Sequence, residues 1–207
     1  NDHKTIVLKV NPKRPDKGSI KRAAEILRSG GLVGFPTETV YGLGVNLLNK
    51  EAIKKLYKVK ARPKAKPFTA HIDSASSIKK SGCKVTRDAK KLIYKYWPGP
   101  LTIILKNKRG RKIGFRVPDN IVALELIRAS RVPIAAPSAN ISGEAPPVTA
   151  SGVLDQLDGR IDILLDAGPT DVGVESTVVD MTVTPPRVLR EGAIGREDIL
   201  SVIAKKL

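Results

Sequence analysis

Residues 58 to 67, KVKARPKAKP, set a cation at every second position: Lys58, Lys60, Arg62, Lys64 and Lys66. Between Glu51 and Asp73 there are seven cations and no carboxylate. Their repulsion is relieved by solvent, as on an ordinary basic face, by acidic partners from the last third of the chain, or by an external anion. Arginine offers phosphate a planar fork and lysine a point charge, so a phosphate site is the chemical reading of this stretch. PSANISGEAPPVT (137–149) places Ser138, Asn140, Ser142 and Gly143 after the apolar run PIAAP. Small hydroxyl and amide groups at the carboxyl end of a strand suit ligand hydrogen bonding, and they equally suit plain turn chemistry. PTETVYGLG (36–44) adds the hydroxyls of Thr37, Thr39 and Tyr41, with Gly42 and Gly44 allowing close backbone approach; a tight turn with core aromatics is the alternative. It is neither a Walker A loop nor GxGxxG.

Arg116 in GFRVPD and Arg190 in VLREGAIG are single arginines inside strand-like runs. Each needs an anionic neighbour or ligand, because an unpaired charge there is costly. Ser176, in GVESTVVD, reads as the start of a strand or as a further hydroxyl at a site. His71 ends the strand FTAHI that leaves the cationic loop, so its side chain is expected near that loop or satisfied in the core.

The elements that must hold these residues alternate between helix and strand. TIVLKV (5–10) alternates as a strand, and SIKRAAEILRSGG reads as a helix capped by Ser19 and ended by Gly30. LVGFPT is a strand stopped by Pro36, and a helix capped by Asn49 should end near Lys60, because Pro63 holds Arg62 extended. A helix from the Thr86 cap is broken by PGP at 98–100, and LTIILKN and KIGFRV flank the turn KRGR as a hairpin. A helix over NIVALELIRAS, one capped by Thr149, three short strands and a closing helix REDILSVIAKKL complete the pattern. A twisted open mixed sheet with flanking helices, an α/β fold in one domain over 1–207, fits better than an all-parallel sheet.

Composition bounds the chemistry. The 207 residues are 41% hydrophobic and 28% charged, which are globular values. No run approaches the ~18 apolar residues of a membrane span, and NDHKTIVLKV lacks the pattern of a signal peptide. A single cysteine, Cys83, fits a reducing cytoplasm, and with two histidines it makes a zinc or iron site a poor expectation. Magnesium carried by substrate phosphates stays open. The net charge of +17 is unevenly spread: residues 1–51, 52–118 and 119–207 carry +4, +18 and −5. A polyanion is the natural partner of the central third.

FPTETVYGLG, KAR, WPGPLT, PSANISG, GVESTVVD and REGAIG, in this order and spacing, resemble the YrdC-like proteins, the L-threonylcarbamoyladenylate synthases. The resemblance runs from about Gly18 to Arg196 and is to the short form, without the extra C-terminal domain of some relatives. It implies a YrdC-like fold with a concave basic cleft. It also implies a nucleotidyltransferase reaction in which L-threonine, bicarbonate and ATP, with Mg²⁺ carried by the ATP, give threonylcarbamoyl-AMP, pyrophosphate and water. A partner transferase complex would then modify adenosine 37 of tRNA. By matching position, Thr39, His71, Arg116, Ser138 and Ser176 would surround threonine and its carbamate. Lys60, Arg62, Lys66, Asn140 and Arg190 would surround ATP, with Lys60 and Arg62 as the catalytic cations. Lys112 and Val148 also map to the nucleotide side. Lys66 stands where many relatives have Asn, and Lys112 and Val148 stand where many have Thr. The competing reading is a non-catalytic basic module that grips tRNA or double-stranded RNA. With three Phe, four Tyr and one Trp, stacking on single strands is disfavoured.

Overall fold

The computed structural model describes residues 4–61, 63 and 68–205. Along the chain run β1 (Ile6–Lys9), α1 (Lys17–Arg28), β2 (Val33–Pro36), β3 (Tyr41–Asn46), α2 (Lys50–Val59) and β4 (Thr69–His71). A 3-10 helix (Ala75–Ser81), α3 (Arg87–Tyr96), β5 (Leu101–Lys106), β6 (Lys112–Arg116) and α4 (Ile121–Ser130) follow. The chain continues through β7 (Ile134–Ala135), α5 (Ala150–Leu157), β8 (Ile163–Asp166), β9 (Thr177–Asp180), β10 (Arg187–Arg190) and α6 (Arg196–Ala204).

The strands form one sheet in the order β1-β8-β2-β3-β7-β4-β6-β5-β9-β10. It is mixed: β1/β8, β2/β8, β4/β6 and β5/β9 are parallel, and the other neighbours are antiparallel. Helices cover both faces because the strand pleat sends alternate side chains to opposite sides. Ile163 and Leu165 of β8 pack with Leu27 of α1 and Leu126 of α4. Leu164 between them packs on the other face with Leu56 of α2 and Val153 of α5. Towards the β10 edge, Leu92 of α3 and Ile199 of α6 close over Leu101, Ile103 and Val179. Each such fully buried side chain contributes about 1.5–3 kcal/mol of transfer free energy.

Most helix boundaries follow the expected caps: Asn49, Thr86 and Thr149 each accept the backbone N–H three residues on. Two expectations are corrected. The cap of α1 is Asp16, whose carboxylate accepts the Ser19 N–H at 2.8 Å, so Ser19 lies inside the first turn instead of capping it. The tight turn offered as one reading of PTETVYGLG stops short of its glycines: Tyr41–Asn46 is β3, fully buried, paired with β2 on one side and β7 on the other.

Candidate active site

The turn from β2 into β3 is held by its own hydroxyls. Thr37 Oγ1 donates to the Val40 carbonyl at 2.7 Å and accepts the Thr39 N–H at 3.2 Å. With that proton committed, the 2.9 Å contact between the two threonine hydroxyls runs from Thr39 to Thr37. Thr39 Oγ1 then accepts from Arg116 Nη2 at 3.1 Å. From outside, the loop after β8 holds the same turn, as Val172 and Gly173 N–H groups donate to the Glu38 and Thr39 carbonyls. Tyr41 ties the two segments, donating its phenol to the Gly168 carbonyl at 2.7 Å, and burial pushes that phenol up to about 12.

Arg116 ends β6 and is only 5% exposed. Its Nη2 also donates to Glu38 Oε1, and Glu38 Oε2 accepts the Asp119 N–H at 2.5 Å. Burial lowers the pKa of Arg116, Glu38 opposes that shift, and nearby Arg190 adds to it. The guanidinium remains charged in any such setting. His71 sits beside Arg116 in the β4/β6 register. Burial first, and the Arg116 charge second, push its imidazole down to about 3. His71 is therefore neutral at physiological pH, with Nδ1 3.3 Å from the Thr69 carbonyl.

The opposite wall comes from the segment after β7. Gly42 and Ser138 form a bridge, and the Leu43 and Ala139 N–H groups donate to the Pro137 and Tyr41 carbonyls, so PSAN runs as an irregular extension beside β3. A Cβ at Gly42 would stand 3.3 Å from Ala136 Cβ, a tight fit between the two segments. Lys60, the C-cap of α2, is 1% exposed and reaches this segment. Its ammonium donates to the Ser138 carbonyl and, at 2.5 Å, to the Asn140 carbonyl, while its own carbonyl accepts the Ser142 N–H. Asn140 Nδ2 donates to the Ile141 and Glu144 carbonyls, and Asn140 Oδ1 is buried without a hydrogen-bond partner among the described residues.

The third wall is β9 and β10. Ser176 Oγ lies 2.9 Å from Thr102 Oγ1, and Arg190 Nη2 donates to it at 3.2 Å. Arg190 also donates to the Ser176 carbonyl and pairs with Glu175 at 3.2 Å. Both arginines that needed a counter-charge thus have one: Glu38 for Arg116 and Glu175 for Arg190.

These walls enclose a cleft of about 210 Å³ lined by Thr39, His71, Arg116, Ser138, Ser176 and Arg190, six residues picked from the sequence. Thr102 and Glu175 also line it, and sequence reasoning missed both. Glu38, also missed, stands behind Arg116 and not on the cleft wall. The need of Arg116 for an anion was readable, but no local pattern says which carboxylate answers it. Lys60 and Asn140 meet each other beside the cleft without lining it. Lys112 lies elsewhere, its ammonium 2.8 Å from Asp180. Val148 is 38% exposed, its carbonyl accepting the Thr170 N–H at 2.9 Å. Arg62 and Lys66 lie outside the described residues.

The sequence and fold match known proteins. A family model, Sua5_yciO_yrdC, described as "Telomere recombination", matches residues 25–192. A protein of Pyrococcus abyssi named threonylcarbamoyl-AMP synthase is 40% identical, the match covering 97% of this chain and 62% of the relative. One of the same name from Bacillus subtilis is 44% identical over 89% of this chain and 56% of the relative. The chain therefore spans about three-fifths of the length of these relatives. The crystal structure of P. abyssi Sua5 complexed with L-threonine superposes with a TM-score of 0.90 at 40% identity, covering 97% of this chain and 61% of that one. Taken with the cleft and the ordered sequence blocks, the match establishes that this chain belongs to the Sua5/YciO/YrdC family.

Proposed function

We propose that this chain carries the synthase chemistry of an L-threonylcarbamoyladenylate synthase, making threonylcarbamoyl-AMP and pyrophosphate from L-threonine, bicarbonate and ATP. The observation that carries the reading is the cleft itself. A buried guanidinium, a neutral imidazole and three hydroxyls converge on about 210 Å³ in a chain that superposes on a threonine-bound relative. That volume falls below the ~300–1,000 Å³ of pockets for drug-sized ligands, so it suits a small amino acid and leaves the nucleotide to extend past its mouth.

Arg116 would take the threonine carboxylate, and Thr39, His71, Ser138 and Ser176 would take the remaining polar atoms. The amine adds to bicarbonate with loss of water to give a carbamate. A carbamate oxygen then forms a bond to the α-phosphorus of ATP as the bond from that phosphorus to the bridging oxygen breaks, and pyrophosphate leaves with the electron pair. The nucleophile belongs to the substrate, so positioning and charge stabilisation are what the protein must supply. Arg190 at the rim, with Arg62, Lys66 and the Mg²⁺ that enters on the phosphates, would answer the charge developing on the oxygens. Lys60 would act through the Ser138–Asn140 segment that its ammonium holds. The product would pass to a transferase complex acting on adenosine 37 of tRNA, in the cytoplasm.

The test is incubation of the protein with labelled bicarbonate, L-threonine and Mg-ATP, followed by mass analysis. A threonine-dependent adenylate carrying the label, with stoichiometric pyrophosphate, is the expected result; hydrolysis or inertness under all threonine concentrations would overturn it. The second reading, an RNA-gripping module without chemistry, rests on the +18 of residues 52–118. Salt-sensitive RNA affinity in a protein inert to threonine and ATP would favour it.

A further inference from the structure

Thr102 is the one polar side chain in LTIIL, residues 101–105. Leu101 and Ile103 on either side of it belong to the core packed under α3 and α6. The pleat turns Thr102 to the opposite face, where it lines the cleft and is 3% exposed. A valine would fill the same space and suit a strand as well, so packing alone gives no reason for the hydroxyl.

Its place across the sheet supplies one. His71 of β4 pairs with Arg116 of β6, and Ile103 stands opposite Phe115, which puts Thr102 level with Arg116. Thr102 pairs in turn with Val178 of β9, and Val178 with Arg190 of β10. His71, Arg116, Thr102, Val178 and Arg190 thus form one row across neighbouring strands, and all of them line the cleft. At about 4.8 Å per strand, Thr102 lies one step from Arg116 and two from Arg190. The hydroxyl is also wired to Arg190, whose Nη2 donates to Ser176 Oγ at 3.2 Å, and Ser176 Oγ lies 2.9 Å from Thr102 Oγ1. One hydroxyl proton closes the contact between Ser176 and Thr102, and among the described residues no group accepts the other. With Ser176 donating to Thr102, the chain runs head to tail from the guanidinium and ends in a Thr102 O–H directed at the cleft. Bonds in such a chain polarise one another, and an ionised acceptor makes the stronger bond, so an anionic oxygen suits this hydroxyl.

We propose, resting on the synthase reading above, that Thr102 holds the carbamate group, whose carbon comes from bicarbonate. Along the reacting substrates the covalent order is carboxylate, α-carbon, amine nitrogen, carbamate, α-phosphorus. The row offers partners in the same order: Arg116 for the carboxylate, Thr102 one strand on for a carbamate oxygen, and Arg190 at the rim for the phosphate. Val178, the other member of the row between the two arginines, has no polar side-chain atom. The hydroxyl at 102 therefore marks where the new carbon sits between amino acid and nucleotide.

The experiment measures initial rates of pyrophosphate release against bicarbonate, L-threonine and Mg-ATP in turn. Wild type is compared with Thr102→Val, Thr102→Ser, Ser176→Ala and the double variant Thr102→Val, Ser176→Ala. Thr102→Val should raise the KM for bicarbonate about ten- to hundredfold, the loss of one hydrogen bond to a charged group, with little change in KM for L-threonine or ATP. Calorimetric binding of L-threonine in bicarbonate-free buffer should match wild type, because Arg116 is untouched. Thr102→Ser keeps the hydroxyl and should recover most of the bicarbonate affinity. The double variant should lose little more than the worse single one, since both changes break the same chain. Normal bicarbonate dependence in Thr102→Val, with Ser176→Ala impaired, would give the carbamate to Ser176 and overturn the assignment. Equal rises in all three KM values would make Thr102 a wall residue only and overturn it too. Wild-type protein that forms no adenylate would instead sink the synthase reading, and the carbamate assignment with it.

Discussion

The guanidinium of Arg116 is held from behind by Glu38, whose carboxylate bridges Arg116 Nη2 and the Asp119 N–H. The two side chains are 6% and 7% exposed, so neither charge has water to fall back on. Removing one partner of such a pair leaves a buried charge uncompensated, which costs about 3–5 kcal/mol. Glu38→Ala should therefore lose stability on that scale in urea unfolding. The double change Glu38→Leu, Arg116→Met should regain most of it while threonine-dependent activity stays lost. A single-variant loss below about 1 kcal/mol would show that the pair is solvated.

Lys60 supplies the second prediction. Its ammonium bonds the Ser138 and Asn140 carbonyls, and charged hydrogen bonds of this kind contribute about 1.5–3 kcal/mol each. Lys60→Ala should reduce pyrophosphate release at least tenfold and also lower the unfolding free energy by about 2 kcal/mol or more. A residue that only touched phosphate would lose rate without losing stability. Unchanged unfolding of Lys60→Ala would return Lys60 to the cleft surface.

Much of this arrangement was readable along the chain, and the misses share a cause. Helix caps such as Asn49 and Thr86 act within three residues, so local sequence reveals them. Asp16 and Ser19 both precede the same apolar run, and only the fold shows Gly18 tolerated inside the first turn. β3 was hidden because YGLGVN has little β-branched content. Its Gly44 is there for room: a Cβ on it would stand 2.9 Å from Phe35 Cε1 and 3.3 Å from the Val33 carbonyl oxygen. The hydroxyls and arginines of the cleft stood out by type, whereas Glu38 and Glu175 were matched to their arginines only by long-range pairing.

His71 gives a pH prediction with a defined sign. Burial holds its pKa at about 3, below the unfolded value of 6.5. Between those values the unfolded chain binds a proton that the native state refuses, so stability falls as pH drops from 6.5 towards 3. The contribution is complete above pH 6.5 and diminishes by about 1.4 kcal/mol for each pH unit below it. Relative to His71→Gln, the wild type should lose roughly 2 kcal/mol on going from pH 7 to pH 5 in urea titrations. Parallel pH profiles for the two proteins would mean that the imidazole is hydrated in the native state.

The final prediction concerns Gly192, which does not line the cleft. A Cβ there would stand 2.2 Å from the Glu175 carbonyl oxygen and 2.7 Å from the Ser176 carbonyl carbon, both backbone atoms with no rotamer to yield. Those atoms belong to the segment that carries Ser176 to Thr102 and Arg190. Gly192→Ala should thus displace Ser176, lowering stability by about 1–3 kcal/mol through overpacking and pyrophosphate release at least tenfold. Gly18→Ala is the contrast: its new Cβ meets only Asp16 Oδ2 at 3.5 Å, inside a helix where alanine is preferred. That change should leave activity intact and stability level or higher. If calorimetry and the activity assay found the two alanine variants alike, the close approach of residues 175 and 176 to Gly192 would be wrong, and with it the position assigned to the Ser176 hydroxyl.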